Sequence, residues 1–389
     1  MINSKNLLKD VLNGEYNDAL ISIYGEDKLY ENKMRYEEAL TVWGQIYGFD
    51  RECRIYSVPY SILLAGDGAD IAIPTDKDFI CVVSDYGANV SRIRCRDFLG
   101  EDNIDIYQHG PYGAETVFPI GVIRGVQQGF LAKGYRKVKG MDMYIDADTL
   151  PGFGLDEPAH LATAVAYIIN DISFDGQLTD KELAEIVQYA MANHIMVDSY
   201  ATDVHASLQG KCLTGDYTDA DNEVLSEISV DMKDCGLYVV NIGATDVDIP
   251  EEEVDGRLDA FMAKFGKPIE ELTEKEFYAI LGGMEEVDKE AALFLMDYYT
   301  QENFGLIYAD NAVDGMGSPS VETTVEVEKE SLAGAWKWHT KPRGICWMAL
   351  CCVADEAKEE FTAAMEKLYG ENCIEKLGLA KKGAHRVID

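Results

Sequence analysis

An α+β fold is predicted by three features of the sequence: helical periodicity in its first fifty residues, long β-rich runs after them, and a strand, helix and strand order that returns near its end. LLKDVL and KMRYEEALTVWGQIYGF carry apolar side chains three and four apart, so the stretch from about Asn6 to Phe49 reads as helices. RIYSVPYSILLAGD and DKDFICVVSDYG read as strands split by the turn-like GDGADIAIPTD, and VSRIRCRDF continues the pattern. A chain of 389 residues exceeds one ordinary core and suits two domains sharing an interface.

Ala114 to Gly134 reads as a helix, and GMDMYIDAD is a strand of alternating character. It leads into TLPGFGLDEPAHLATAVAYIIN, which turns through Gly152 and Gly154 into a long apolar helix. A strand, glycine loop and helix start point backbone N–H groups and a positive dipole end at one place, which suits a phosphate. Here Asp156, Glu157 and Pro158 occupy that place. A phosphate oxygen roughly 5 Å from one carboxylate meets about 3 kcal/mol of repulsion at an effective dielectric near 20. Pro158 also removes a donor. As an acidic N-cap with proline in the first turn, the same three residues stabilise the helix start.

Leu178, Thr179 and Asp180 open the helix DKELAEIVQYAMANH, and DSYATDVHASLQG is a helix or turn expected to face the glycine loop. Beyond Gly210 come an acidic, turn-rich segment, the buried strand LYVVNIGA and a helical array from EEEVDGRLDAFMAKFG onward. GICWMALCCV, the amphipathic DEAKEEFTAAMEKLYGEN and a short strand near HRVID close the pattern.

The net charge of −36, from 34 basic and 70 acidic residues, excludes nucleic acid and anionic membranes as natural partners. A small neutral or cationic ligand, or a protein partner, fits better. Nine cysteines without C-x-x-C spacing read as reduced core residues, and no run reaches membrane-spanning length, so a cytoplasmic protein is expected. His109, His160, His194 and His205 show no metal-ligand spacing.

SVPYSILLAGDGAD, LPGFGLDEPAHLATA, DSYATDVHAS and GAWKWH stand in the order of the signatures of galactokinases in the GHMP kinase superfamily, and nearly the whole chain resembles the clostridial type. The resemblance implies a two-domain GHMP kinase fold, an N-terminal-type domain over 1–212 and a C-terminal-type domain over 213–389, with the ligand cleft between them. It also implies ATP-dependent phosphorylation of a sugar at its anomeric oxygen. In the sugar signature Pro59 matches, Tyr60 and Ser61 replace glycine and arginine, and Asp67, Gly68, Ala69 and Asp70 stand where the acidic, histidine, threonine and aspartate run is expected. Asp67 and Asp70 are the implied sugar ligands.

In the nucleotide loop Gly152, Gly154, Leu155 and Ala159 match. Asp156, Glu157 and Pro158 replace the serines that hold triphosphate and Mg²⁺, and Ala162 replaces a metal-binding glutamate. The catalytic aspartate of the family falls on Asp203, a candidate base and sugar contact, with plain surface capping as the bland reading. Its arginine partner falls on Ser61. In the third signature Gly334 to His339 match, then Thr340, Lys341, Pro342, Arg343 and Gly344 replace a glycine hinge. Lys341 and Arg343 are expected to pair with Asp156 and Glu157.

The expected function is therefore a galactokinase-like protein with impaired or lost sugar 1-phosphorylation that still binds a sugar or small polar ligand. The alternative is an active sugar kinase with a rebuilt phosphate site. No cofactor is expected under the first reading, and Mg-ATP under the second.

Overall fold

The protein is described by a computed structural model over residues 2–66, 69–96, 102–107, 119–147, 158–195, 199–216, 224–228, 235–245, 335–341, 344–355, 358–371 and 373–388. The helical array, the glycine loop with Gly152, Gly154, Leu155, Asp156 and Glu157, and Asp67 and Arg343 lie outside the described residues.

The strand β1 (Ile2–Asn3) leads into α1 (Ser4–Asn13), where the Asn3 side chain accepts from Asn6 N–H at 2.9 Å. Gly14, at φ 84°, ends the helix in the left-handed conformation that glycine tolerates best. After α2 (Asn17–Tyr24) and α3 (Leu29–Tyr47) the chain enters the long strands β2 (Glu52–Gly66) and β3 (Ala69–Asp85). Next come β4 (Val90–Cys95), β5 (Asp102–Asp105), α4 (Ile120–Ala132) and β6 (Met141–Ala147). The sheet runs β1-β2-β3-β6-β4-β5, antiparallel except for the parallel β4 and β6 pair.

GDGADIAIPTD is strand over most of its length, not a turn. Ala69 to Pro74 pair with β2, and Ile71 and Ile73 are buried on alternate positions. The alternating isoleucines outweigh the turn formers around them. Pro74 sits opposite Ser61, where the register shifts between Pro59 and Ser61, and such an irregularity tolerates proline.

Both faces of this sheet are apolar. Along β3, Ile80 and Val82 join the core under α1 to α3, while Phe79, Cys81 and Val83 join the larger core on the other side. That second core is closed by α4, α5 (Pro158–Phe174), α6 (Asp180–Ala190) and α7 (Ala201–Gln209). The helix α6 starts where Leu178, Thr179 and Asp180 predict, and Thr179 caps it in a full capping box with Glu182. A π-helical turn over Met191–Ile195 follows α6. The segment DSYATDVHASLQG is helical from Ala201.

A polar network stitches α3 to the sheet. Arg35 donates to Asp78 at 2.9 Å and to Asp146 at 3.1 Å, and Arg96 donates to Asp146 at 2.8 Å. The other Asp78 oxygen accepts from Tyr24 and Ser57, each at 2.5 Å. Buried carboxylates are tolerable only when held in this way. Among the described cysteines Cys53, Cys81, Cys95 and Cys373 are buried and Cys212 is half-buried, all as free thiols. Burial pushes Cys53 up to about 12, so it is a core side chain and not a nucleophile.

β7 (Leu213–Asp216) pairs with β3, and β8 (Val224–Glu227) pairs with β7. A second, antiparallel sheet has the order β10-β11-β9-β12, from β9 (Cys235–Thr245), β10 (Ala335–Lys341), β11 (Gly344–Ala354) and β12 (Ile374–Leu377). The helix α8 (Lys358–Tyr369) packs Phe361 and Met365 on Tyr238, Val240 and Val353.

From β12 the chain returns to the first sheet. Gly378 N–H donates to Asp76 at 2.8 Å, Ala384 N–H meets the carbonyls of Ser207 and Leu208 at 3.1 Å, and β13 (His385–Ile388) pairs with β2. Arg386 and Arg54 then reach Asp171 of α5 at 3.5 and 3.3 Å. Among the described residues no helix is long and apolar enough to cross a membrane.

Candidate functional site

Asp203 lies in the first turn of α7, and its carboxylate is turned into the protein with 6 % of the residue exposed. Surface capping is therefore the wrong description of it: Tyr200 occupies the N-cap, and no side-chain capping bond is made there. Four residues on, Ser207 shares the same helix face and donates to the Pro59 carbonyl. This face packs α7 against β2.

On β2, Ser61 is 2 % exposed. Its hydroxyl donates to Asp203 Oδ1 and stands 3.0 Å from the Asp203 carbonyl oxygen. The third member comes from α5. His160 Nε2 accepts from Ser61 N–H at 3.1 Å, lies 3.4 Å from the Ser61 hydroxyl and 3.3 Å from Asp203 Oδ2. Tyr60 closes the group, its ring edge-on to the imidazole at 5.3 Å and against Phe79 at 4.6 Å.

Sequence comparison alone pairs positions 61 and 203, and the structure brings those two residues together. His160 is the member it missed, because isolated histidines carry no ligand spacing. A signal was present: His160 sits two residues after Pro158, in the first turn of the apolar helix α5. Asp70 lies in β3 opposite Ala65 of β2 and Gly215 of β7, at the far end of the same strand pair. Among the described residues no group of three or more His, Cys, Asp or Glu is placed to hold a metal ion.

Chemically the group is a buried carboxylate whose Oδ1 accepts from Ser61 and whose Oδ2 lies beside the His160 imidazole. A carboxylate offers about four lone-pair sites, so acceptor capacity remains for a donor such as a hydroxyl. At position 61 a neutral hydroxyl meets this carboxylate, in place of the arginine implied by resemblance.

No family model matches the chain. Over 125 residues it is 32 % identical to the galactokinase of Clostridium tetani (strain Massachusetts / E88), a match spanning 32 % of this chain and 30 % of that protein. The chain thus spans less than a third of the curated relative it matches. Among solved structures, Lactococcus lactis galactokinase complexed with galactose aligns over 89 % of this chain and 98 % of its own, with a TM-score of 0.55 and 16 % identity. Methanococcus jannaschii mevalonate kinase aligns over 84 % and 98 %, with a TM-score of 0.50 and 12 % identity. The two sheets and the helices over the first sheet therefore make up an α+β protein with the fold of the GHMP kinases. Within that class the chain resembles a galactokinase in sequence over those 125 residues.

Proposed function

We propose that this galactokinase-like chain binds galactose or a closely related polyol beside Asp203, in a cleft between its 1–212 and 213–389 domains, and has lost efficient ATP-dependent phosphorylation. The observation that carries the proposal is the Ser61 hydroxyl bonded to Asp203. An arginine at that position would offset the charge that builds on the phosphoryl group and its attacking oxygen. A neutral hydroxyl does not, and lost electrostatic stabilisation of this kind is expensive in rate.

The identities of Asp156, Glu157 and Pro158 support the same reading, since they replace neutral phosphate donors by carboxylates and a proline. A sugar needs none of those donors. It needs acceptors for its hydroxyls, which Asp203 provides and Asp67 and Asp70 extend. That the Lactococcus lactis galactokinase is described with galactose supports the choice of sugar.

A second reading is an active sugar kinase, with Asp203 as base and the loop carboxylates as Mg²⁺ ligands. The name of the Clostridium tetani relative favours it. Thermal denaturation with Mg-ATP, with galactose, and with both separates the two. A ligand at 100 times its Kd adds about 2.7 kcal/mol of stability. The proposal expects a shift with galactose and none with Mg-ATP. A shift with Mg-ATP together with ADP release in the presence of galactose establishes the kinase, and silence from both moves the search to a protein partner.

A further inference from the structure

Strand β13 covers the edge of β2 as far as Ser57. Beyond it, two main-chain groups of β2 are met by side chains: the Pro59 carbonyl accepts from Ser207, and Ser61 N–H donates to His160 Nε2 at 3.1 Å. Buried main-chain groups require such partners. The same nitrogen lies 3.3 Å from Asp203 Oδ2, while the Ser61 hydroxyl takes Oδ1. One oxygen is held by a strand hydroxyl, and the other faces a helix imidazole. The ring is itself fixed, 4 % exposed and edge-on to Tyr60.

We propose that His160 is the positioning residue of Asp203, doing from α5 what the family resemblance assigns to an arginine at position 61. For its ligand the inference rests on the sugar reading above; for the His160 and Asp203 pair it does not. One nitrogen faces two demands. Ser61 N–H needs its lone pair, whereas the Asp203 carboxylate needs a proton on it. With the lone pair given to Ser61, Oδ2 is left to find another donor, and with a proton on Nε2 the Ser61 N–H is left to find another acceptor. A hydroxyl satisfies either state, because it donates and accepts. The arrangement selects a polyhydroxy ligand that sets a hydroxyl between Ser61 N–H and Asp203 Oδ2, and it offers nothing of that kind to a ligand carrying only acceptors.

The test uses the full chain labelled with ¹⁵N-histidine and read by imidazole NMR, first without ligand. Asp203→Asn is expected to move the Nε2 resonance of one of the six histidines, and His160→Gln to remove that same resonance. Galactose is then expected to move it in the unsubstituted protein. In thermal denaturation His160→Gln, whose amide both donates and accepts, retains most of the galactose shift, and His160→Leu loses it. If no histidine responds to Asp203→Asn, or if the Gln and Leu variants respond to galactose alike, the proposal fails. A response to Asp203→Asn with no effect of galactose on any property upholds the pair and overturns the sugar reading instead.

Discussion

The Ser61 hydroxyl reaches across 142 residues of sequence to hold the carboxylate of Asp203, and both groups are out of solvent. A serine hydroxyl carries no charge, so the contact is a hydrogen bond to a buried anion and nothing stronger. Hydrogen bonds to charged groups contribute more than neutral ones, about 1.5–3 kcal/mol.

Ser61→Ala is therefore expected to lower the unfolding free energy by about 1.5–3 kcal/mol in urea titration. The slope of that titration should stay the same, because the surface exposed on unfolding does not change. Asp203→Asn keeps the shape of the site and is expected to abolish the galactose shift. Full retention of that shift would remove Asp203 from the site.

Arg35 neutralises two buried carboxylates, so Arg35→Gln should cost about 3–5 kcal/mol at neutral pH. Burial already pushes Asp146 above its ordinary value, and Arg35 and Arg96 pull it back. Removing Arg35 raises it further. A carboxyl whose folded value is raised stabilises the fold below its unfolded value and loses that contribution as pH rises through the folded value. The variant should therefore recover part of its deficit as pH falls toward about 4. A deficit that grows on acidification would contradict this account.

At the start of α6, Thr179→Ala removes the side-chain half of a capping box, the bonds in which the Thr179 hydroxyl accepts from Glu182 N–H at 3.3 Å and donates to the Glu182 carboxylate at 2.8 Å, and leaves the main-chain Thr179 N–H on Glu182. The expected loss is about 1 kcal/mol. Hydrogen bonds from the Tyr135 hydroxyl and from Thr179 hold the Glu182 carboxyl below its ordinary value. A depressed folded value gives stability that is present above the unfolded value, about 4.3, and lost as pH falls through the folded one. The cost of Thr179→Ala should accordingly shrink in acid, as measured by paired denaturation curves at neutral pH and below pH 4.

Where the chain returns past α7, Gly383 packs on main chain: a Cβ there would lie 2.1 Å from the Leu208 carbonyl oxygen and 2.6 Å from Gly210 N. Backbone does not yield as a side-chain tip does. Gly383→Ala should cost about 1–3 kcal/mol by overpacking, and because the strain falls on the end of α7 it should weaken the galactose shift as well. An unchanged galactose shift would separate the helix end from the site.

The strands of the first sheet were legible because both of their faces are apolar and the runs are long. The start of α6 could be read from Leu178, Thr179 and Asp180. The turn expected at GDGADIAIPTD failed because Ile71 and Ile73 pay for a strand that glycine and aspartate around them argue against. Asp203 and Ser61 were found through their positions in motifs, but their burial was not, since nothing local distinguishes a helix-start aspartate facing water from one facing a strand. His160 escaped because its role exists only once α5, α7 and β2 meet. Pairing of Lys341 and Arg343 with Asp156 and Glu157 falls on residues or side chains outside those described.

The amide of Ala384 closes on the carbonyls that end α7. During translation the ribosome adds that residue long after the helix has emerged, by roughly ten to thirty seconds at about 5–20 residues per second. Throughout that interval the helix bearing Asp203 lacks its final partner, while the sheet beneath it is already complete from β2 to β6. The nascent chain thus builds its scaffold early and seats the end of α7 late, and a chaperone or protease meeting it in that window would encounter α7 as the loose end.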